Sequence, residues 1–307
     1  MILSYLVPAD RGGRKVQSVL RNDMSLSAAL VRRLKQVQGI FVNGEPVYTN
    51  YVLQGGETVT ADISAAEPPC DLVPQNGDLE IIYENTGLLA VNKPSGMLTH
   101  PSRAQYTETL ANYVSGYLLE KYGDGRCHAV NRLDRGTGGI VLFSKNSYMT
   151  ERCAAALQAP EASKEYTAVV LGAFDEPEGT INLPIFRPDA RDIKRVADER
   201  GQSAVTHYKT VAVGEIESTC VSVLSLVLET GRTHQIRVHC SHLGHPILGD
   251  RLYCSEESKA LSDSLGLSSQ ALHAGKLSFT EPLSGNKLTL NAAILNEEMQ
   301  SLLNSIK

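Results

Sequence analysis

The stretch NRLDRGTGGIVLFSK, Asn131 to Lys145, makes two different physical demands. Its first half sets one carboxylate, Asp134, between two guanidinium groups, Arg132 and Arg135, just ahead of a glycine-rich turn. Its second half, GGIVLFSK, reads as a strand. An acid flanked by arginines is commonly a surface ion pair that contributes little to stability. The alternative is chemical: neighbouring positive charge favours the ionised carboxylate, and the same arginines can hold an anionic substrate.

Working outward, the 307 residues are enough for a substantial core and more than one domain. A composition of 42% hydrophobic and 21% charged residues is that of an ordinary globular protein. No uninterrupted apolar run approaches the roughly 20 residues that span a bilayer. MILSYLVPADRGGRK carries its charges after its short apolar run, the reverse of a secretory signal, so a cytoplasmic location is expected. The six cysteines are scattered without a C-x-x-C pair, which speaks against a disulfide framework or a thiolate zinc site. A net charge of -5 argues against indiscriminate binding to polyanions but leaves room for a local basic surface.

That surface is expected at the N-terminus. Residues 1 to 39 carry seven Lys or Arg against two Asp, a balance of +5, whereas residues 40 to 78 carry no Lys or Arg. SLSAALVRRLKQVQG places Leu26, Leu30, Leu34 and Val37 at helical spacing, with Ser25 as N-cap, Gly39 as stop, and Arg32, Arg33 and Lys35 on the polar side. IFVNGEPV predicts a hairpin turning at Asn-Gly. Proline-rich AAEPPCDLVPQNGD lacks periodicity and predicts a linker over 65–78, separating a domain of residues 1–64 from one of 79–307.

Beyond the linker, LEIIYEN and GLLAVNK predict a hairpin, EYTAVVLG and STCVSVLSLVLE further strands, and TLANYVSGYLLEKYG, SYMTERCAAALQ and THQIRVHCSHLG helices. Adjacent strands without regular helical crossovers imply an α+β fold on a mixed, largely antiparallel sheet. The P-loop, dinucleotide, G-x-S-x-G and H-E-x-x-H signatures are absent. TGRTHQIRVHCSHLGHPILGD gathers four histidines, but no spacing turns three of them toward one point, so no metal is expected. With a helix beginning near Thr233, Arg237 can project into a cleft while Ile236 and Leu243 pack behind it.

In this order, LLAVNKPSGMLTHP, NRLDRGTGGIVLFSK, SKEYTAVVLG, TGRTHQIRVHCSHLGHPILGDRLY and ALHAGKLSF resemble the RluA-type pseudouridine synthases over nearly all of residues 79 to 307. The basic helix, hairpin and GGETVTADI of the N-terminus resemble the S-four RNA-binding domain. The resemblance implies an enzyme that isomerises uridine in RNA by detaching, turning and rejoining the base. It assigns catalysis to Asp134, contact with the target base to Tyr166, and pairing with the aspartate to Arg237. It also implies RNA contacts from Arg132, Arg135, Arg232 and Gln235, added to Arg32, Arg33 and Lys35. FRPDARDIKRVADERGQSAVTHYK resembles the family's basic loop and the strand behind it, although its interleaved charges also suit a solvated salt-bridge helix. Three departures stand out: Asn131 replaces a histidine, Gly138 a serine, and Glu281-Pro282 a His-Pro pair.

The expectation is therefore an RNA pseudouridine synthase acting on structured, ribosomal RNA, a cytoplasmic monomer with no cofactor and no membrane partner. Two rivals are an inactive RNA-binding protein or assembly factor, and a glycosidic-bond hydrolase. The hydrolase is disfavoured because typical glycosidases use two carboxylates and the motif offers one.

Overall fold

A computed structural model describes residues 1–189 and 191–306 of the chain. Its architecture follows from an alternation in two central strands. Leu88 and Ala90 of Leu88–Lys93, with Ile140 and Leu142 of Gly138–Ser144, bury one face. Leu89, Val91, Val141 and Phe143 bury the other. Successive side chains of a strand point to opposite faces, so a sheet covered on both sides needs such continuous apolar runs.

These strands lie within a ten-stranded sheet. Its main path runs Glu178–Asn182, Val205–Ile216, Thr219–Leu228, Ser163–Leu171, Leu272–Thr280, Gly138–Ser144, Leu88–Lys93 and Glu80–Glu84. Lys287–Asn291 pairs with Leu272–Thr280, and His128–Ala129 with Gly138–Ser144. The pairings are antiparallel except where His273 and Ala274 meet Gly138 and Gly139 in parallel. Gly139 has φ +116°, and a Cβ there would lie 2.2 Å from the Ala274 carbonyl oxygen, so glycine permits this central contact. The Asn131–Thr137 loop enters the sheet at that point. Among the described residues no helix is long and apolar enough to cross a membrane.

The predicted helices form with shifted ends. Leu110–Tyr122 is capped by reciprocal hydrogen bonds between Thr109 and Asn112 and ends at Gly123, φ +71°. The N-terminal helix covers Ala28–Gln36, and its cap is Ser27, whose hydroxyl accepts from Leu30 N, rather than Ser25. Ser25 is held out of the helix with φ +56°, because Leu26 is buried and its N–H donates to the Leu20 carbonyl. Asn43 and Gly44, both at positive φ, make the hairpin turn between Ile40–Val42 and Glu45–Pro46. The hairpin joins a four-stranded sheet with Thr58–Asp62 and Ile2–Leu6, the last a strand that sequence reading missed. Among the described residues of 186–200 no helix is present. Ile185–Phe186 and Val196–Ala197 pair instead as a short ribbon.

The segment 67–79 has no helix or strand, yet it is tied down: Asn112 Nδ2 donates to Val73 O at 2.9 Å, and Gln75 N to Asn112 O at 3.1 Å. It crosses the helix at Gly116, where a Cβ would come within 2.0 Å of Gln75 O. The N-terminal module also shares an apolar cluster with the main sheet, from Val16, Leu30 and Leu34 to Met149 and Phe279. At the rim of this seam, buried Glu67 accepts from Ser147 N and Oγ, capping Ser147–Ala156, and pairs with His128 Nε2 at 2.8 Å. Arg33 joins the same seam, donating to Ala66 O at 2.8 Å and Ser147 Oγ at 2.7 Å.

Burial pushes the Glu67 carboxyl upward, but the hydrogen bonds from His128 and Ser147 outweigh this and hold its pKa below the ordinary 4.5. A depressed folded pKa contributes stability that is present above the unfolded value and lost as pH falls through the folded one. Glu67→Gln should therefore be less stable than wild type by about 1–3 kcal/mol at neutral pH. In urea titrations that gap should narrow below the ordinary pKa of 4.5. An unchanged gap in acid would remove the ionised carboxylate from the seam's energetics.

Candidate active site

The Asn131–Thr137 loop has little freedom. Leu133 O accepts from Thr99 Oγ1 at 3.0 Å, Asp134 O from Thr137 N at 3.1 Å, and Gly136 O from Ser95 Oγ at 2.6 Å. Arg135 O accepts both Gly96 N at 2.9 Å and Lys93 Nζ at 3.1 Å. Lys93 is fully buried and spends its remaining donors on Pro94 O and Met97 O. Burial draws its pKa down to about 7, against the opposing pull of Asp134. Four successive carbonyls held in this way fix the Asp134 backbone before any ligand binds.

The cation that reaches Asp134 comes from 103 residues away. Arg237 Nη1 donates to Asp134 Oδ2 at 2.9 Å, whereas Arg135 turns away and donates through Nε to Gly96 O at 2.9 Å. Arg132 is exposed at the cleft rim. Asp134 is therefore paired with Arg237 and not with its sequence neighbours. Arg237 lies in the helix Gln235–His242, and its other edge grips Asp250 through Nε at 2.6 Å and Nη2 at 2.9 Å. The Asp250 side chain is 0% exposed and also accepts from Leu252 N at 2.9 Å and Tyr253 N at 3.2 Å. Tyr253 lies beneath the guanidinium, 5.0 Å from ring centroid to Cζ. Asp250 was missed by sequence reading. Its only sequence signal is a carboxylate after Gly249 in the quoted HPILGD run.

Tyr166, on Ser163–Leu171, lines the same cleft as Asp134, Arg237 and Leu272. Burial, reinforced by the Asp134 charge, pushes its phenol up to about 12, so at neutral pH it presents a hydroxyl and not a phenolate. The Asp134 side chain is 21% exposed. Its Oδ1 has no hydrogen-bond partner among the described residues. The cleft thus offers an accessible carboxylate oxygen beside a fixed cation and a neutral aromatic hydroxyl.

The remaining expected contacts divide. Arg232 is exposed at the cleft, with Nε donating to Ser203 O at 3.0 Å. Gln235 does not suit an RNA contact: it is 3% exposed and bonded to Thr230, Arg232 N, Val205 O and Thr206. These bonds pin the helix start to the neighbouring strands. Arg32 and Lys35 are exposed, while Arg33 is drawn into the seam. The Asn131 side chain pairs with its neighbouring strand, donating to Ile140 O and accepting from Leu142 N. At Gly138 a Cβ would crowd His273 Nδ1 at 3.3 Å. Buried Glu281 accepts from Leu283 N and Ser284 N, closing its turn. The histidines disperse: His239 bonds Thr206 and Leu183 O, and His245 bonds Leu171 O. No three His, Cys, Asp or Glu side chains converge as a metal site among the described residues.

Residues 87–242 match the family model described as RNA pseudouridylate synthase. The chain belongs to the RNA pseudouridylate synthase family. It is a pseudouridine synthase, an isomerase. It is 34% identical to YhcT of Bacillus subtilis (strain 168), described as an uncharacterised RNA pseudouridine synthase, over 94% of this chain and 93% of that one. It is 36% identical to the ribosomal large subunit pseudouridine synthase D of Yersinia pestis, over 82% of this chain and 78% of that one. The fold agrees with human RNA pseudouridylate synthase domain containing 1, at TM-score 0.56 and 22% identity, covering 75% of this chain and 96% of that one.

In this synthase, Arg237→Met strands a buried carboxylate and should cost about 3–5 kcal/mol of stability. Adding Asp250→Asn removes the stranded charge and should restore most of the loss. Independent, additive losses in a double-mutant cycle would show that the two side chains are not one unit.

Proposed function

We propose that this synthase isomerises specific uridines of ribosomal RNA, with Asp134 as the reacting carboxylate, Tyr166 against the target base and Arg237 holding the carboxylate. The observation that carries the reading is the state of Asp134: one oxygen bound to Arg237, the other without a partner among the described residues, in a cleft lined by Tyr166. A nucleophile or base needs that free oxygen, and its fixed cation spares reorganisation during reaction. Tyr166 can stack on an extruded pyrimidine while its hydroxyl meets a polar edge. The relatives named for the large ribosomal subunit support ribosomal RNA as the substrate class.

Residues 1–64 are read as an S-four-like RNA-binding module, 65–78 as a tethered linker and 79–307 as the catalytic domain, in a monomer acting in the cytoplasm. Exposed Arg32 and Lys35, on the polar side of a helix whose Leu30 and Leu34 are buried, support this reading. Arg132, Arg135 and Arg232 at the cleft suit phosphate contacts, which position RNA without reading sequence.

Two experiments test it. RNA tritiated at uridine carbon 5 should release label to water with no free uracil, because the new bond forms where that hydrogen leaves. Free uracil would instead establish hydrolysis, and binding without release an inactive RNA-binding protein. Replacing Arg32 and Lys35 together by Ala should keep the fold and lower the slope of log affinity against log salt by about 1.4–1.8. An unchanged slope would remove the module from phosphate binding.

A further inference from the structure

We propose that His234 is a positioning residue for Asp134, held in one tautomer by Tyr253 so that its Nε2–H faces the carboxylate oxygen that Arg237 also binds. The inference rests on the reading of Asp134 as the reacting carboxylate.

It begins with the backbone. His234 is the N-cap of Gln235–His242 at φ +60° and ψ +20°, a left-handed conformation that non-glycine residues seldom adopt. Such outliers gather at working sites, where the surroundings hold them. Here the ring is held edge-on to Tyr253, with centroids 5.5 Å apart. Its Nδ1 lies 2.8 Å from the Tyr253 hydroxyl.

The proton inventory then fixes the tautomer. The Tyr253 oxygen already accepts the backbone N–H of Arg195 at 2.8 Å. Tyr253 is buried, so its own proton needs an acceptor, and His234 Nδ1 is the partner within reach. A phenol that donates to Nδ1 leaves the proton of neutral imidazole on Nε2. Burial holds the His234 pKa below its ordinary value; Asp134 and Asp250 oppose this, while Arg237 and Arg195 add to it. The neutral ring therefore prevails at neutral pH.

Nε2 lies 3.8 Å from Asp134 Oδ2, too long for a hydrogen bond in the free enzyme. A small tightening of the cleft around RNA closes that gap. Catalytic hydrogen bonds often shorten only once substrate is bound. Two donors on Oδ2, Arg237 and His234, then fix the carboxylate plane and leave Oδ1 for the substrate. The chain of contacts ends at Arg195, within the basic segment carrying Arg187, Arg191 and Lys194, so backbone placement there sets the orientation of the Tyr253 hydroxyl.

Two readouts test this. In nitrogen-15 histidine spectra at neutral pH, the His234 signal, assigned by its loss in His234→Gln, should show the Nε2–H tautomer. Tyr253→Phe, which keeps the ring beneath Arg237 and removes only the hydroxyl, should turn it into a tautomer mixture. In the tritium assay, His234→Leu should turn over roughly 100-fold more slowly at saturating RNA with little change in KM. His234→Gln, which keeps an amide donor, should recover part of that rate, and it carries the test if the Leu variant does not fold. An Nδ1–H ring or an imidazolium in the wild type overturns the proposal, as does wild-type turnover by His234→Leu or a rise in KM alone. Loss of all tritium release in the wild type would instead overturn the reading of Asp134, and the spectrum would still decide the tautomer.

Discussion

A guanidinium has more than one hydrogen-bonding edge, and Arg237 divides its edges between two acids. Nε and Nη2 close on Asp250, and Nη1 reaches Asp134. Asp250 lies wholly inside the protein, where an uncompensated charge is costly, so Arg237 is required by the fold as well as by the cleft. Its position is therefore set before RNA arrives. The carbonyls of the Asn131–Thr137 loop are likewise held by Thr99, Ser95, Lys93 and Gly96, which places both halves of the Asp134–Arg237 pair on fixed supports.

The sheet explains why these supports meet. Gly138–Ser144 carries the aspartate loop, and Leu272–Thr280 separates it from Ser163–Leu171, which carries Tyr166. The parallel contact at Gly138 and Gly139 brings the loop end beside Leu272–Thr280, and Leu272 itself lines the cleft. A largely antiparallel sheet thus gathers residues 134, 166 and 237 around one hollow. On the other flank, the N-terminal module is fastened by apolar packing and by Glu67 and Arg33, leaving Arg32 and Lys35 on the outside.

Legibility in the sequence followed the range of the forces involved. GLLAVNK, GGIVLFSK and the Asn-Gly hairpin were readable because short continuous apolar runs and turn chemistry specify them locally. TLANYVSGYLLEKYG likewise reads as a helix, which forms between Thr109 and Gly123. Ile2–Leu6 was not readable: it is a short edge strand whose burial alternates only weakly. The N-cap was misplaced by two residues because burial of Leu26, a tertiary effect, outweighed the local preference at Ser25. At the site, the motifs point to Asp134, Tyr166 and Arg237, and the resemblance pairs Arg237 with the aspartate, whereas charge adjacency alone points to Arg132 and Arg135. Asp250 meets Arg237, and His234 meets Tyr253, contacts that no spacing rule contains. Gln235 looked like an outward polar residue within a basic motif, yet it serves as an internal brace.

The central claim is that the ionisable carboxylate of Asp134 performs the reaction within a cleft whose shape does not depend on it. The most direct measurement is single-turnover conversion of bound RNA by Asp134→Asn, which keeps the side chain's size and its contact with Arg237 but removes the charge. Pseudouridine is quantified in the RNA, and binding is measured in parallel. The account predicts RNA affinity close to that of wild type with no pseudouridine formed; conversion at the wild-type rate would contradict it.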